Sequence, residues 1–406
     1  MSDPVAEQYE AYPYPERDPE DEKRRLVVGS PSDPVEIDHF LHGGKRNWSL
    51  PFRALVAGGG TGDGLIQLAV KLDAVNCPAE IVYLDQSKAA RKVAQARARV
   101  RGLKNIAFHT ADLLEAPAHG SFDYIDCTGV LHHLADPQAG LDALAEALRP
   151  GGGMGMMVYA PYGRTGVYDM QAVFSALLAD RRPQERLKLA RELAAALPEG
   201  NRFRNNRGLV DHRLSDAGFY DLLLHGRDRP FAVAELLFLL ESAGLEPVSF
   251  VEQGKYELAR LLPHSQPLRE AAASLDPATA MGLAEKLRGN IKTHVLYAGK
   301  AGACARRMAG ASDPEAVPRL KGVEAGKLAA HIARRGELGL TVDGAKLRLA
   351  VAGSAAQALA LADGRLALGA MAKRLGMDWF GFSALWTPVH RELAAFGIRR
   401  YSRTFA

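Results

Sequence analysis

From residue 53 onward, short apolar runs alternate with longer stretches of helical spacing, and that alternation leaves few folds open. "FRALVA" is one such run, and "GLIQLAVKL" follows it with Leu65, Leu68, Ala69 and Leu72 on one helical face. "EIVYLD" (80–85) reads as a second strand, and "SKAARKVAQARARVRG" as a helix stopped by Gly102. "NIAFHTAD" (105–112) and "FDYIDCTG" (122–129) read as the third and fourth strands. A helix through "DPQAGLDALAEALRPGG" and a fifth strand, "MGMMVYA" (154–160), complete the order β-α-β-α-β-β-α-β. Strands separated by helical crossovers return to the same edge and run parallel. The expectation is an α/β fold with a doubly wound, Rossmann-like sheet.

The flanking sequence departs from this pattern. Residues 161–230 are helical and rich in charge, an expected insertion that caps the carboxyl edge of the sheet. Alternation resumes with "AVAELLFLLESAG" and "EPVSFVE", and "IKTHVLYAG" (291–299) reads as the last of seven strands. In the leader, residues 1–50, the prolines of "YEAYPYPERDPEDEKRR" argue against a helix. Its tyrosines imply an ordered segment packed on the next domain. Residues 315–406 hold a hairpin signal at Asp343-Gly344, three glycine-separated helical segments and a strand-like tail. They are expected to form a small α+β, winged-helix-like domain after a main domain spanning 51–305.

Composition narrows the class rather than the function. Hydrophobic residues make up 47% and charged residues 24% of the 406, as in soluble globular proteins. A net charge of +4 without long basic runs does not favour nucleic acid as a partner. Cys77, Cys127 and Cys304 are scattered without CxxC spacing, which points to a reducing compartment and away from a zinc site. No run of 18 apolar residues occurs, so the expectation is a cytoplasmic protein with no membrane span.

The first strand ends in "LVAGGGTGDG" (55–64), at the carboxyl edge where open α/β sheets bind ligands. A dinucleotide fingerprint needs a sixth-position glycine, but counting from Gly58 gives Asp63 and from Gly60 gives Leu65. No Gly-Lys-Ser/Thr follows, so a phosphate-binding P-loop fails too. What stands is G-x-G-x-G: Gly58, Gly60 and Gly62. Further landmarks follow in order: Asp85 and Gln86 after the second strand, "HTADLLEAP" with Asp112 and Leu113, and "TGVLHHLADP" from Thr128.

This series resembles the class I S-adenosylmethionine (SAM) methyltransferases over about residues 50–160 and, more weakly, 230–300. The resemblance implies a seven-stranded methyltransferase sheet with SAM as the cofactor. It places Gly58, Gly60 and Gly62 against the homocysteine part, Asp85 on the ribose hydroxyls with Gln86 beside it, and Asp112 on the adenine amino group. Leu113 would contact the ring, and Thr128 and His132 would line the pocket near the sulfonium. One departure is Val56, which stands where many members carry an acid near the methionine amino group. Asp63 or the leader is left to compensate. Adjacent His132 and His133 cannot share a helical face as metal ligands do, so no metal is expected. His133 is the candidate general base and Tyr159 a candidate catalytic side chain at the acceptor end. Tyr162, Tyr168, His212 and His225, with Tyr9, Tyr12 and Tyr14 of the leader, are candidates for lining or closing the acceptor pocket.

The leader "QYE…YPYP", "LHHLADP" and the C-terminal module together are similar to bacterial methyltransferases that include protein lysine methyltransferases. That arrangement implies an acceptor on a protein side chain, of lysine type. A small-molecule methyltransferase with the insertion as lid, and a noncatalytic SAM- or partner-binding scaffold, stay open beside it.

Overall fold

Two helices lie in the leader of the computed structural model, α1 (Pro4–Ala11) and α2 (Pro34–Leu41). The structure describes residues 4–302 and 308–404, so Cys304 and the 303–305 end of the expected main domain lie outside the described residues. Helix α1 corrects the expectation that prolines exclude a helix up to Tyr9–Ala11. A proline as first residue costs a helix no hydrogen bond, and the helix ends before Tyr12-Pro13, where the following ring disfavours helical geometry. Helix α2 starts on Asp33, whose side chain accepts from Val35 N at 3.0 Å, with Pro34 in the first turn.

The sheet then builds in chain order: β1 (Phe52–Ala57), α3 (Asp63–Ala74), β2 (Ala79–Asp85), α4 (Lys88–Val100), β3 (Ile106–Thr110), β4 (Phe122–Thr128), α5 (Pro137–Ala147) and β5 (Leu148–Tyr159). Strand β5 is longer than expected because "LRPGG" continues extended, with a register irregularity opposite Phe122 and Tyr124. The insertion contributes α6 (Val167–Leu178), α7 (Pro183–Ala195), α8 (Arg202–Asn205), α9 (Asp211–Leu214) and α10 (Asp216–Leu223). It carries its own apolar core around Phe174, Phe219 and Leu223, on which Tyr12 of the leader packs. Next come α11 (Val233–Ser242), β6 (Leu245–Phe250), α12 (Gln266–Ala273), α13 (Pro277–Arg288) and β7 (Thr293–Lys300).

Seven strands pair in the order β3-β2-β1-β4-β5-β7-β6. Strands β1 to β5 are parallel, and β7 runs antiparallel to both of its neighbours. The chain winds outward from β1 through β2 to β3, then crosses back to β4 on the other side of β1. That reversal opens a crevice between the carboxyl ends of β1 and β4, where such sheets receive ligands. Separate apolar clusters cover the two faces, one around Leu55, Ile125 and Met156 and the other around Ala54, Val56 and Tyr124.

The C-terminal part consists of β8 (Pro318–Leu320), α14 (Ala325–Arg335), β9 (Glu337–Val342), β10 (Ala345–Ala350), α15 (Ala356–Ala360), α16 (Leu368–Arg374), α17 (Trp379–Ala395) and β11 (Arg399–Tyr401). Asp343 (φ 47°) and Gly344 (φ 83°) form the expected two-residue hairpin turn between β9 and β10. Helix α14 was not among the expected segments; Leu328, Ala329 and Ile332 bury one face of it in a core shared with Phe382 and Trp386. Among the described residues no helix is long and apolar enough to cross a membrane.

Candidate functional site

Strand β1 delivers the chain into a loop in which Gly58 (φ 66°), Gly60 (φ 52°) and Gly62 (φ 98°) all hold left-handed backbone, which side-chain-bearing residues adopt at a cost. A Cβ on Gly58 would stand 2.3 Å from the Val130 side chain, and one on Gly59 2.4 Å from the Tyr83 ring. The bare backbone floors a cavity of about 470 Å³ above the carboxyl ends of β1, β2 and β4. That volume is in the usual range for a small-molecule site. Gly58 and Gly60 line it. Gly62 does not: it precedes α3 and packs against Ala94 of α4, so it shapes the loop from behind.

At one end of the cavity the acids follow the strand ends. Asp85 accepts Gly60 N at 2.7 Å and Ser87 N at 2.8 Å, which holds the loop to β2. Burial raises its pKa, and those two N–H groups partly offset the rise. Gln86 donates to Asp112, whose other oxygen accepts Leu114 N at 2.8 Å. The buried Leu113 and both of these polar side chains line the cavity. Asp63 also reaches the lining but is fully engaged. Arg17 donates to both its oxygens, at 2.9 and 2.6 Å, and Arg97 to one at 2.7 Å. Burial works against ionisation of Asp63, yet Arg17 and Arg97 hold its pKa below the usual carboxylate range. A carboxylate so paired has little left to offer a cationic ligand. Val56 therefore has no substitute in Asp63.

Behind Val56 lies a carboxylate that sequence reasoning overlooked. Asp126 of β4 is 1% exposed and lines the cavity. Thr128 spends its hydroxyl on Asp126 Oδ1 at 2.6 Å, while Oδ2 has no hydrogen-bond partner. The only signal was a charged residue inside an otherwise apolar strand, "YIDC".

At the opposite end the leader, the sheet and the insertion converge. His133 Nδ1 lies 2.9 Å from the Arg227 carbonyl oxygen, which only accepts, so Nδ1 carries the proton. In the neutral ring Nε2 then carries the lone pair, buried and without a hydrogen-bond partner. His225 has the opposite tautomer, because Arg227 N donates to its Nδ1 at 3.0 Å. His225 Nε2–H faces the Tyr9 hydroxyl at 3.2 Å, and that hydroxyl donates to Asp221 Oδ1 at 2.9 Å. Tyr159 donates to Asp221 Oδ2 at 3.3 Å. Burial raises the Asp221 pKa, with His133 and the Tyr9 hydrogen bond acting the other way.

Tyr9, Tyr14, His133, Tyr159 and Asp221 line the cavity. His132 does not. It is fully buried behind Tyr159, stacked on that ring at 3.9 Å, and its Nδ1 accepts Tyr159 N at 3.3 Å. His212 sits away from the cavity against Phe203, Tyr12 stacks on Tyr220, and Tyr168 hydrogen-bonds Arg164; neither Tyr162 nor Tyr168 reaches the lining. Donor atoms of His133, Asp221 and His225 lie within 4.8 Å of one another. No carboxylate cluster lies near His132-His133 in sequence, but the fold brings Asp221 and His225 of the insertion to His133. In this arrangement Tyr9 and Arg227 already engage His225 and Asp221, and the cluster is a hydrogen-bonded network.

Comparison with known proteins gives the chemistry a context. Residues 55–154 match the family model described as "Methyltransferase domain". A protein of Synechococcus sp., itself described as uncharacterized, is 34% identical over 256 residues, which span 61% of this chain and 60% of that protein. PKMT2 from Rickettsia typhi has the same fold, with a TM-score of 0.65 at 13% identity over 94% of this chain and 78% of that one. Its structure in complex with AdoHcy gives 0.61 at 12% identity over 94% and 76%.

Proposed function

We propose that this chain, which carries a class I SAM-dependent methyltransferase domain, transfers the SAM methyl group to an amine, in the first instance a lysine side chain of a protein. The cavity suits SAM on its own terms: backbone with no room for a Cβ at Gly58 and Gly59, carboxylates at two strand ends, and a buried carboxylate oxygen without a hydrogen-bond partner beside the loop. When bound there, SAM supplies an electrophilic methyl group on a sulfonium. Asp85 would hold the ribose hydroxyls, Asp112 and Leu113 the adenine, and the Gly58–Gly60 backbone the amino-acid portion.

The single observation that carries the amine reading is the acceptor end of the cavity. A cationic side chain entering it meets the Asp221 carboxylate between the Tyr9 and Tyr159 hydroxyls, with aromatic faces around it. An alkylammonium must lose a proton before its nitrogen can attack. His133 Nε2, fixed as a lone pair by the Arg227 carbonyl, is placed to take that proton. Tyr159 and His132 behind it hold the wall of the pocket, and the buried surroundings exclude water. The arrangement of leader, sheet and C-terminal unit, shared in fold with PKMT2 of Rickettsia typhi, supports a protein acceptor.

A second reading has its own support. Asp221 and Arg227 reach the cavity from the insertion and its exit, forming a roof that would suit a small-molecule acceptor. Incubation with SAM labelled in the methyl group and a cell extract separates the two. Label in protein that yields methyllysine on hydrolysis supports the first, and label confined to small molecules the second. SAM binding without transfer to any fraction would leave only a scaffold. His133→Ala is expected to lower turnover by about 100-fold or more with SAM affinity intact, in line with typical general-base contributions. Unchanged turnover would remove His133 from the mechanism.

A further inference from the structure

We infer that Asp126 holds the ammonium group of SAM, replacing across the strand ladder the acid that Val56 lacks. The inference deepens the SAM reading above and rests on it. In the parallel pairing of β1 and β4, Val56 stands directly opposite Asp126, and paired residues of neighbouring strands point to the same face. The apolar cluster on that face agrees, since it holds Val56 and Ala54 of β1 together with Tyr124 of β4, two residues before Asp126. A carboxylate missing from one strand is thus present on the next, at the same height along the sheet.

The state of Asp126 supports a ligand role. Its side chain is buried and lines the cavity, and no cation among the described residues pairs with it. Burial raises its pKa, and only hydroxyls attend it: Thr128 donates to Oδ1, and the neighbouring Ser32 hydroxyl acts with Thr128 to favour the ionised form. Oδ2 is left without a partner, and an ionised oxygen buried in that condition is costly unless something else completes it. Backbone is cleared around this oxygen as well. Gly64, in the first turn of α3, comes so near that a Cβ there would stand 3.3 Å from Oδ2 and 2.5 Å from Ser32 Oγ. The other nearby acid, Asp63, is consumed by Arg17 and Arg97. SAM carries one primary ammonium, with three N–H donors for acceptors of this kind. Having Val at 56 keeps the carboxylate single, since a second acid opposite would place like charges side by side.

Titration calorimetry on the full chain with two probes tests this. S-adenosylhomocysteine keeps the amino-acid tail, and 5′-methylthioadenosine has the same adenosine and thioether without it. Asp126→Asn is expected to weaken S-adenosylhomocysteine by roughly 10- to 100-fold, the worth of a hydrogen bond to a charged group, and to leave 5′-methylthioadenosine within about twofold. Retained 5′-methylthioadenosine binding also certifies that the variant is folded. The double variant Val56→Asp/Asp126→Asn, which moves the carboxylate to the opposite strand, is expected to regain about tenfold or more. Equal loss for both probes, no loss for either, or no recovery in the double variant would overturn the inference. A wild-type chain that binds 5′-methylthioadenosine but prefers the tailed probe by no margin would overturn it alone. One that binds neither probe would overturn the SAM reading, and this inference with it.

Discussion

Asp221 belongs to the acceptor end of the cavity, where it joins the leader and the sheet by accepting from the Tyr9 and Tyr159 hydroxyls. Replacing it with Asn keeps the shape and removes the charge that would attract an ammonium. Asp221→Asn is therefore expected to lower kcat/KM for an amine acceptor by about 100-fold while SAM affinity stays within about twofold. Steady-state kinetics beside calorimetry would read both; equal loss in the two would mean that Asp221 shapes the whole cavity. The cavity brings together Asp85, Asp112 and His133, each at or shortly after a strand end and so visible along the chain. Asp221 was not visible there, since nothing in "FYDLLLHG" says that the insertion folds back over Tyr9. Asp126 was hidden for a related reason: its meaning comes from the residue opposite on β1, 70 positions earlier in sequence, and a register is a property of the sheet. Asp63 misled in the reverse direction. Its place at the start of α3 was visible, but its two arginine partners come from the leader and from α4.

The glycine loop and the strands around it were readable because a local requirement forced their composition. At Gly58 two demands coincide, a left-handed φ of 66° and a Cβ position only 2.3 Å from Val130. Gly102, after α4, has nearly the same φ of 69° but nothing within 4 Å of its Cβ position. The pair separates backbone strain from steric exclusion. Gly102→Ala is expected to cost about 1–2 kcal/mol, the price of the left-handed backbone alone, and to leave SAM binding unchanged. Gly58→Ala adds a clash with the half-buried Val130 side chain, so it should cost more and weaken SAM by at least about tenfold. Urea unfolding and calorimetry on both variants would check this; equal costs would show that Val130 simply gives way. Strands β1 to β4 owed their visibility to short, mainly apolar runs bounded by helical spacing. Helices α1 and α14 were harder, because each is short and flanked by proline or glycine that reads as a break. Their helicity comes from tertiary contact: Glu10 of α1 accepts from Lys88 N and, at 3.1 Å, from Ala89 N at the start of α4, while α14 buries Leu328 and Ile332.

The leader also ties the C-terminal unit to the sheet, and it does so through acids of helix α2. Glu36, 1% exposed, accepts Lys321 Nζ at 2.8 Å and Arg400 Nη2 at 3.2 Å. Asp38 accepts the Ser402 hydroxyl at 2.6 Å, and His39 Nδ1 accepts Tyr401 N at 3.3 Å. None of these pairings could be read from the sequence, since their partners lie more than 280 positions away. The two acids respond to pH in opposite senses. Burial works to raise the Glu36 pKa, but Arg400 and Lys321 overcome it and hold the group below the usual range. Its stabilisation is therefore present at neutral pH and lost as pH falls through that lowered value. Burial pushes Asp38 up to about 6, so it binds a proton more tightly folded than unfolded, and its contribution is lost as pH rises from about 4 toward 6. Glu36→Gln leaves Arg400 buried and uncompensated, which should destabilise the chain by about 3–5 kcal/mol at pH 7. The gap from wild type should begin to narrow as the pH falls below the ordinary glutamate range, and close as it passes the lowered value at which the wild-type Glu36 also takes up a proton. Asp38→Asn should instead flatten the dependence between pH 4 and 6 and favour the variant at neutral pH. Calorimetric Tm values for the three chains across pH 3.5–7.5 decide the matter. A Glu36→Gln deficit that does not shrink in acid would mean that packing, rather than charge, holds the C-terminal unit against helix α2.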